Sequence, residues 1–414
     1  MKVLHINTND VVGGAARASS GLSKSLRALG VNSSMLVQDK KEENSSVFKI
    51  NGGLGSKIWR RLVPYFEQFS LECCSRYSGQ PWSLNLFPRA VYQDINAKDV
   101  DIAHFHWVGG GYFPLYTLRH IQSKIIWTLH DSWLFTGGCH VPYDCKRYET
   151  QCGQCPQLKS SFNWDISQLG LKTKKNCILN RDIIFVSPSH WLRNCALNSA
   201  VLRHERVEVI PNGVDLSLFR PINKSVARDV LGFPSDAKLI LCGAIGAFSD
   251  PNKGGDLFLS ACTELRDIYA DNVELVVFGA SNPGIEFKMP LPTRFMGRIH
   301  DNITLALLYS AADVFVCPSL QENLPTTVIE ASACGTPSVG FSCSGLPEVI
   351  EHGETGYLAT PYDTADLAHG IRIILDNSMI AASMGQNARL LAEKKFDVKL
   401  QAKKYLSLYQ NLLC

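Results

Sequence analysis

Across 414 residues no run of 18 apolar residues occurs, so no membrane-spanning helix is expected. Neither sign of charge is in excess: 41 basic residues stand against 38 acidic ones, for a net +3, with no basic block. The electrostatic footprint of a nucleic-acid-binding protein is therefore missing, and no nucleic-acid partner is expected. No internal repeat and no low-complexity segment interrupts the chain. A Gly-x-Gly-x-x-Gly fingerprint is absent after the first apolar run, which counts against a dinucleotide-dependent dehydrogenase. The opening stretch "MKVLHINTNDVVGG" has too short an apolar run for a signal peptide and reads as a first strand. The expected location is the cytoplasm.

What is present is globular and core-forming, with 45% hydrophobic and 19% charged residues. The length favours two domains. Short β-branched runs alternate with helical stretches. Expected strands are 2–7, 33–38, 102–107, 124–130, 183–187 and 207–210, followed by a second series at 238–245, 273–279, 314–317 and 337–341. Continuous apolar runs with helices between them argue for parallel strands buried on both faces, and two series argue for two doubly wound, Rossmann-like α/β domains. The turn-rich stretch "PNGVDLSLFRPI", 211–222, marks the join. The expected division is 1–210, 211–395 and a terminal helix over 396–414. Residues 40–46, "KKEENSS", read as a solvated loop.

The stretch "SLQENLPTTVIEASACGTP", 319–337, places Glu322 and Glu330 eight apart. Pro325 suits a first helical position, Gly335 a left-handed stop, and Pro337 lies beyond it. Glu322 then precedes the helix, whereas Glu330 lies inside it on the same face as Thr326. The N–H groups at the start of such a helix form an anion site. With a phosphate there, Glu330 can accept hydrogen bonds from a ribose diol and Glu322 from a sugar hydroxyl beyond the phosphate. That is the outline of a nucleotide-sugar. The plain alternative is a capped helix with an ordinary surface acid.

From 293 to 361 the chain carries "FMGRIHD", "YSAADVFVCPS", "QENLPTTVIEASACGTPSV" and "HGETGYLATP". In order and spacing these resemble the retaining glycosyltransferases of family 4. "WTLHDSW", "TGGCH" and "CGQCPQL" further resemble the subgroup that builds bacterial polysaccharides such as colanic acid. The resemblance implies a GT-B fold with an interdomain cleft. It also implies transfer of a sugar, with retention, from a nucleotide-diphosphate donor to a glycan or lipid-linked acceptor, as in a hexosyltransferase. No Asp-x-Asp lies near the site, so no metal or other cofactor is expected to be required for catalysis. Two rivals remain: an epimerase or hydrolase on the same fold, and a sugar-nucleotide-binding protein without turnover.

By resemblance, the donor is held by Gly13, Gly14, Lys253, Arg298, Asn323, Leu324, Thr326 and Glu330, with Arg17 a weaker candidate. His106, Glu322 and Lys253 are the expected catalytic residues, and His130 and Asp131 face the acceptor. The family also carries an arginine a few residues before its lysine-glycine pair. Here Ala247 or Phe248 stands in that place. Of two histidines on one strand face, His106 lies nearer the carboxyl end, whereas His104 reads as a core residue satisfied by backbone.

Two further segments stand out. Of fourteen cysteines, Cys139, Cys145, Cys152 and Cys155 fall within 17 residues, the last two as C-x-x-C. This spacing predicts a structural four-sulfur zinc site, with His140 a fifth candidate ligand; reduced, unligated cysteines are the alternative. "KIWRRLVPYFEQF", 57–69, mixes basic and aromatic residues and would be the place for peripheral contact with the inner face of a membrane. A helix packed on the first domain is the competing reading.

Overall fold

The computed structural model describes residues 1–50, 62, 65, 81–243, 246, 248–269, 272–280 and 289–414. The segment 57–69, apart from Leu62 and Tyr65, and Ala247 lie outside them. The chain divides into two compact units, Met1–Pro211 with Gln401–Cys414, and Asn212–Leu400.

Among the described residues of the first unit the strands are β1 (Lys2–Asn9), β2 (Asn32–Asp39), β3 (Val47–Lys49), β4 (Ile102–Phe105), β5 (Lys124–Thr128), β6 (Ile183–Ser187) and β7 (Val207–Val209). They pair in the order β3-β2-β1-β4-β5-β6-β7, and every pairing is parallel. The apolar runs are buried on both faces, as parallel sheets require. Leu4, Ile6, Ala103, Phe105 and Trp127 point into one core, and Val3, Ile102, Ile126 and Ile184 point into another. The second core is covered by the terminal helix Val398–Leu413, through Ala402, Tyr405 and Tyr409.

The second unit holds β8 (Lys238–Gly243), β9 (Val273–Phe278), β10 (Thr293–Gly297), β11 (Val314–Cys317), β12 (Ser338–Phe341) and β13 (Gly356–Ala359), in the order β10-β9-β8-β11-β12-β13. Here too all pairings are parallel. Strands β3, β10 and β13 were not expected. They are three to five residues long, and β10 is half-buried throughout. Such short pieces show no clear period in sequence.

Both sheets have a point where strand order reverses, between β1 and β4 and between β8 and β11. In open parallel sheets ligands bind beyond the carboxyl ends of the strands at such points.

Candidate functional site

Two helices begin at these reversal points. Helix α1 (Gly14–Ala28) follows β1, and the helix Thr326–Ala333 follows β11. Neither is capped by a side chain. Among the described residues six other helix starts are capped, by Asp165, Ser189, Asn223, Asp301, Asp363 and Asn377, whereas the short helix Val91–Asn96 is also uncapped. At the two reversal points the bare starts leave N–H donors and the positive end of the helix dipole for an anion.

At the first start, Gly13 has φ +94°, a conformation that favours glycine. Gly14 is the first helical residue, with open space where a Cβ would sit. Arg17 lies in the first turn, half-buried.

At the second start Pro325 is the cap residue and Thr326 the first helical residue, one place later than the sequence suggests. Gly335 has φ +76° and ends the helix as expected. Glu330 is no surface acid: it is 3% exposed, and the Tyr309 hydroxyl donates to its Oε2 over 2.9 Å. Leu324 is packed in the hydrophobic core, which leaves its backbone to offer a ligand, whereas Asn323 is half-buried.

Lys253 and Glu322 meet. Lys253 Nζ lies 2.7 Å from Glu322 Oε1, and both side chains are mostly shielded. The Glu322 carboxylate pushes the lysine pKa up, against the opposing effect of burial. Lys253 belongs to the short turn Pro251–Lys253 after β8. That turn is locked onto the loop after β11: Asn252 Nδ2 donates to the Gln321 carbonyl, and Leu320 N–H donates to the Asn252 carbonyl. Gly254 makes the approach possible, because a Cβ there would meet the Pro318 carbonyl oxygen at 1.9 Å. Ser344 Oγ accepts from the Glu322 N–H, and the Gly345 N–H donates to the Glu322 carbonyl. Ser344, Gly345 and Tyr309 escaped the sequence reading, because only tertiary contact brings them to the two acids.

Phe248, one of the two residues expected at the place of the family's arginine, packs its ring edge-to-face with Phe295 of β10, 6.4 Å between centroids. Arg298 lies just past the carboxyl end of β10, exposed and without a hydrogen bond or ion pair to another described residue.

In the first unit the period of two aligns His5 of β1 with His104 of β4, and His106 follows on the same face. His5 Nδ1 is 2.9 Å from His106 Nε2, and His106 Nδ1 is 3.0 Å from His130 Nε2. A neutral imidazole donates at one nitrogen and accepts at the other, so these three rings share one hydrogen-bond polarity. His5 Nε2 ends the row without a partner among the described residues. Burial holds His5 down to about 3 and His130 down to about 4, and keeps His104 and His106 well below the ordinary range. His106 is 3% exposed and stands behind His130, the more accessible of the two. His104 is a core residue, but side chains satisfy it rather than backbone: Tyr409 and Thr128 hydroxyls lie 2.7 Å from its two nitrogens. Ligand atoms of His5, His104 and His106 lie within 4.8 Å of one another. Both nitrogens of His104 and of His106 are already hydrogen-bonded, which favours a relay over a metal centre.

Asp131 follows His130. Burial raises its pKa, but His140 and the donors Trp133 N–H and Trp107 Nε1 outweigh burial and hold it below the usual range. Its Oδ2 accepts from Trp107 Nε1 at 2.8 Å and pairs with His140 Nδ1 at 2.6 Å, and its Oδ1 accepts from Trp133 N–H. The carboxylate thus orders the loop after β5. His140 Nε2 meets Ser83 Oγ at 3.0 Å, so both ring nitrogens of His140 are engaged away from the cysteines. The four clustered cysteines line one small cavity on the connection from β5 to β6.

Residues 12–218, half of the chain, match the family described as Glycosyltransferase Family 4. The chain belongs to this family. Residues 240–377 match Glycosyl transferases group 1. A D-inositol 3-phosphate glycosyltransferase 2 of Catenulispora acidiphila is 34% identical over 198 residues, 44% of this chain and 45% of the relative. The D-inositol 3-phosphate glycosyltransferase of Geodermatophilus obscurus is 37% identical over 185 residues, 41% and 40% of the two chains. The matched stretch thus spans less than half the length of these curated relatives. Among solved structures, sucrose-phosphate synthase of Thermosynechococcus elongatus superposes with TM-score 0.71 at 21% identity, over 100% of this chain and 99% of that one. HepE of Anabaena, in complex with UDP and glucose, gives 0.69 at 17% identity over 99% of each. These likenesses establish the fold, GT-B with two Rossmann-like domains. Among the described residues no helix is long and apolar enough to cross a membrane.

Proposed function

We propose that this chain is a retaining glycosyltransferase that takes a sugar from a nucleotide-diphosphate donor. The observation that carries the reading is the group at the β8/β11 reversal: an uncapped helix start, a shielded Lys253–Glu322 pair, and Glu330 buried one turn into that helix. Each part suits one portion of a sugar nucleotide. The helix N–H groups and Lys253 suit the diphosphate, and a charged hydrogen bond of this kind contributes about 1.5–3 kcal/mol. Glu330, oriented by Tyr309, suits the ribose diol. When a phosphate draws Lys253 away, Glu322 becomes free to accept from a sugar hydroxyl.

Chemistry then rests on the departing diphosphate. Its charge grows as the bond to the anomeric carbon breaks, and preorganised donors aimed at that charge lower the barrier. Retention is the family's outcome. The first unit, with His130 at the carboxyl end of its sheet, suits the acceptor. Solved proteins of this fold carry UDP, UDP-glucose, or ADP with acarbose. The finer reading is a glycan or lipid-linked acceptor in polysaccharide assembly, at the cytoplasmic side of a membrane.

The test is a thermal-shift screen against UDP-, GDP-, ADP- and dTDP-sugars, because a ligand of the folded state raises its apparent stability. Transfer of radiolabelled sugar to a glycan or lipid-linked acceptor follows, with the product anomer read by NMR. A donor that binds and is transferred with retention supports the proposal. Binding without transfer or hydrolysis would instead favour a sugar-nucleotide-binding protein.

A further inference from the structure

The connection from β5 to β6 carries cysteines at 139, 145, 152 and 155. Between residues 139 and 165 its regular structure is confined to the three-residue turn Arg147–Glu149 and a single bridge from Cys139 to Trp82. Cys152 and Cys155 are nevertheless buried, and Tyr148 joins the main core. With so little regular structure, a long segment of this kind depends on local turns and side-chain contacts to hold one place.

The four sulfur-bearing side chains come from four places along this segment and line the same cavity, of about 20 Å³, with Trp82 and Tyr148 on its wall. That is room for one atom-sized guest. None of the four is in a disulfide.

Burial pushes the Cys139, Cys152 and Cys155 thiols up, so with no cation beside them they keep their protons, and the polar groups around the sulfurs oppose this only in part. Backbone N–H groups of Gln157 and Leu158, two and three residues past Cys155, point at its sulfur, and the Gly137 N–H points at that of Cys152. A thiolate accepts several such bonds, whereas a thiol also needs an acceptor of its own. Lys174, 2% exposed, is held beside them by the carbonyls of Trp133 and Thr136. Its positive charge acts on Cys139 and Cys152.

We propose that Cys139, Cys145, Cys152 and Cys155 bind one structural zinc ion that pins the β5–β6 connection. Four thiols lose four protons to solvent, and four thiolates around one divalent cation leave a net charge of −2, one unit of which Lys174 offsets. No trio of these sulfurs lies within 4.8 Å of one another among the described residues. Binding therefore draws them inward on the cavity, to the ~2.3 Å zinc–sulfur distance. Four sulfur ligands leave no open position, so the ion takes no part in catalysis. It acts on the site through the chain: the same connection starts with His130 and Asp131.

The full-length protein, purified without chelators, is expected to hold one zinc per chain by elemental analysis, released in step with mercurial titration of the thiols. Replacement by cobalt should give the visible ligand-field bands of a tetrahedral thiolate site. Cys152→Ser should lose the metal, whereas Cys177→Ser, outside the cluster, should keep it. If Cys152→Ser fails to fold, the wild-type cobalt spectrum decides. Metal-free protein whose four thiols react as free groups, or are found as disulfides, overturns the proposal, and so does a cobalt spectrum without thiolate character.

Discussion

Lys253 Nζ and Glu322 Oε1 stand 2.7 Å apart although 69 residues separate them in the chain. The pair joins the carboxyl ends of β8 and β11. Lys253→Met and Glu322→Gln should each destabilise the fold, and the double change should cost less than their sum. The expected coupling is about 1–3 kcal/mol, the range for contacting charged groups. Chemical denaturation of the four proteins measures it. In binding assays Lys253→Met should weaken free nucleotide diphosphate, whereas Glu322→Gln should spare it and cut transfer. Equal loss of both ligands in both variants would remove the division of labour.

Glu330 is oriented by the Tyr309 hydroxyl, 2.9 Å away. Glu330→Ala should weaken free nucleotide and sugar nucleotide alike, by about 1.5–3 kcal/mol. Tyr309→Phe keeps the ring in the core and removes only the hydroxyl, so its effect should have the same pattern at about 1 kcal/mol. Calorimetry with the nucleotide alone checks both. Unchanged nucleotide affinity in Glu330→Ala would sink the ribose assignment.

Burial keeps His5 near 3 and His130 near 4, with His104 and His106 also depressed. Unfolded imidazoles titrate near ~6.5. Between that pH and about 4 the unfolded chain therefore binds protons that the folded chain refuses. Stability is at its full value above pH ~6.5 and falls as the pH drops, by about 1–2 kcal/mol per imidazole at pH 5. Urea midpoints at pH 7 and pH 5 should show this fall. A midpoint that holds or rises at pH 5 would mean that the row is protonated in the fold.

Gly14 of the first unit and Gly254 of the second differ in what a side chain would meet. Gly254 has φ +64° and a carbonyl 1.9 Å from its would-be Cβ, whereas Gly14 faces open space. Gly254→Ala should lower the melting temperature, at a cost of about 1–3 kcal/mol from backbone strain alone. Gly14→Val should melt close to wild type. Calorimetric scans of the two variants separate a packing glycine from one whose space is left open.

The strand series, the two α/β units and the acid-bearing helix were legible in the order of residues, because apolar period, Gly-Pro punctuation and the eight-residue spacing are local properties. The four clustered cysteines and the lysine-glycine pair were legible for the same reason. Partnership was not. Nothing near Glu330 in sequence points to Tyr309, and nothing near Lys253 points to Glu322, since register and loop docking bring them together across the sheet. His106 illustrates the limit: its place at a strand end suggested a catalytic residue, but only the alignment of β1, β4 and β5 shows that its ring lies between those of His5 and His130. The terminal helix was expected from its period, but the Tyr409 hydroxyl on His104 and the Tyr405 hydroxyl on Thr128 arise only once that helix lies on the first sheet. Local chemistry writes the elements. Long-range packing, through burial and desolvation, chooses which polar groups face one another and which charge states they hold.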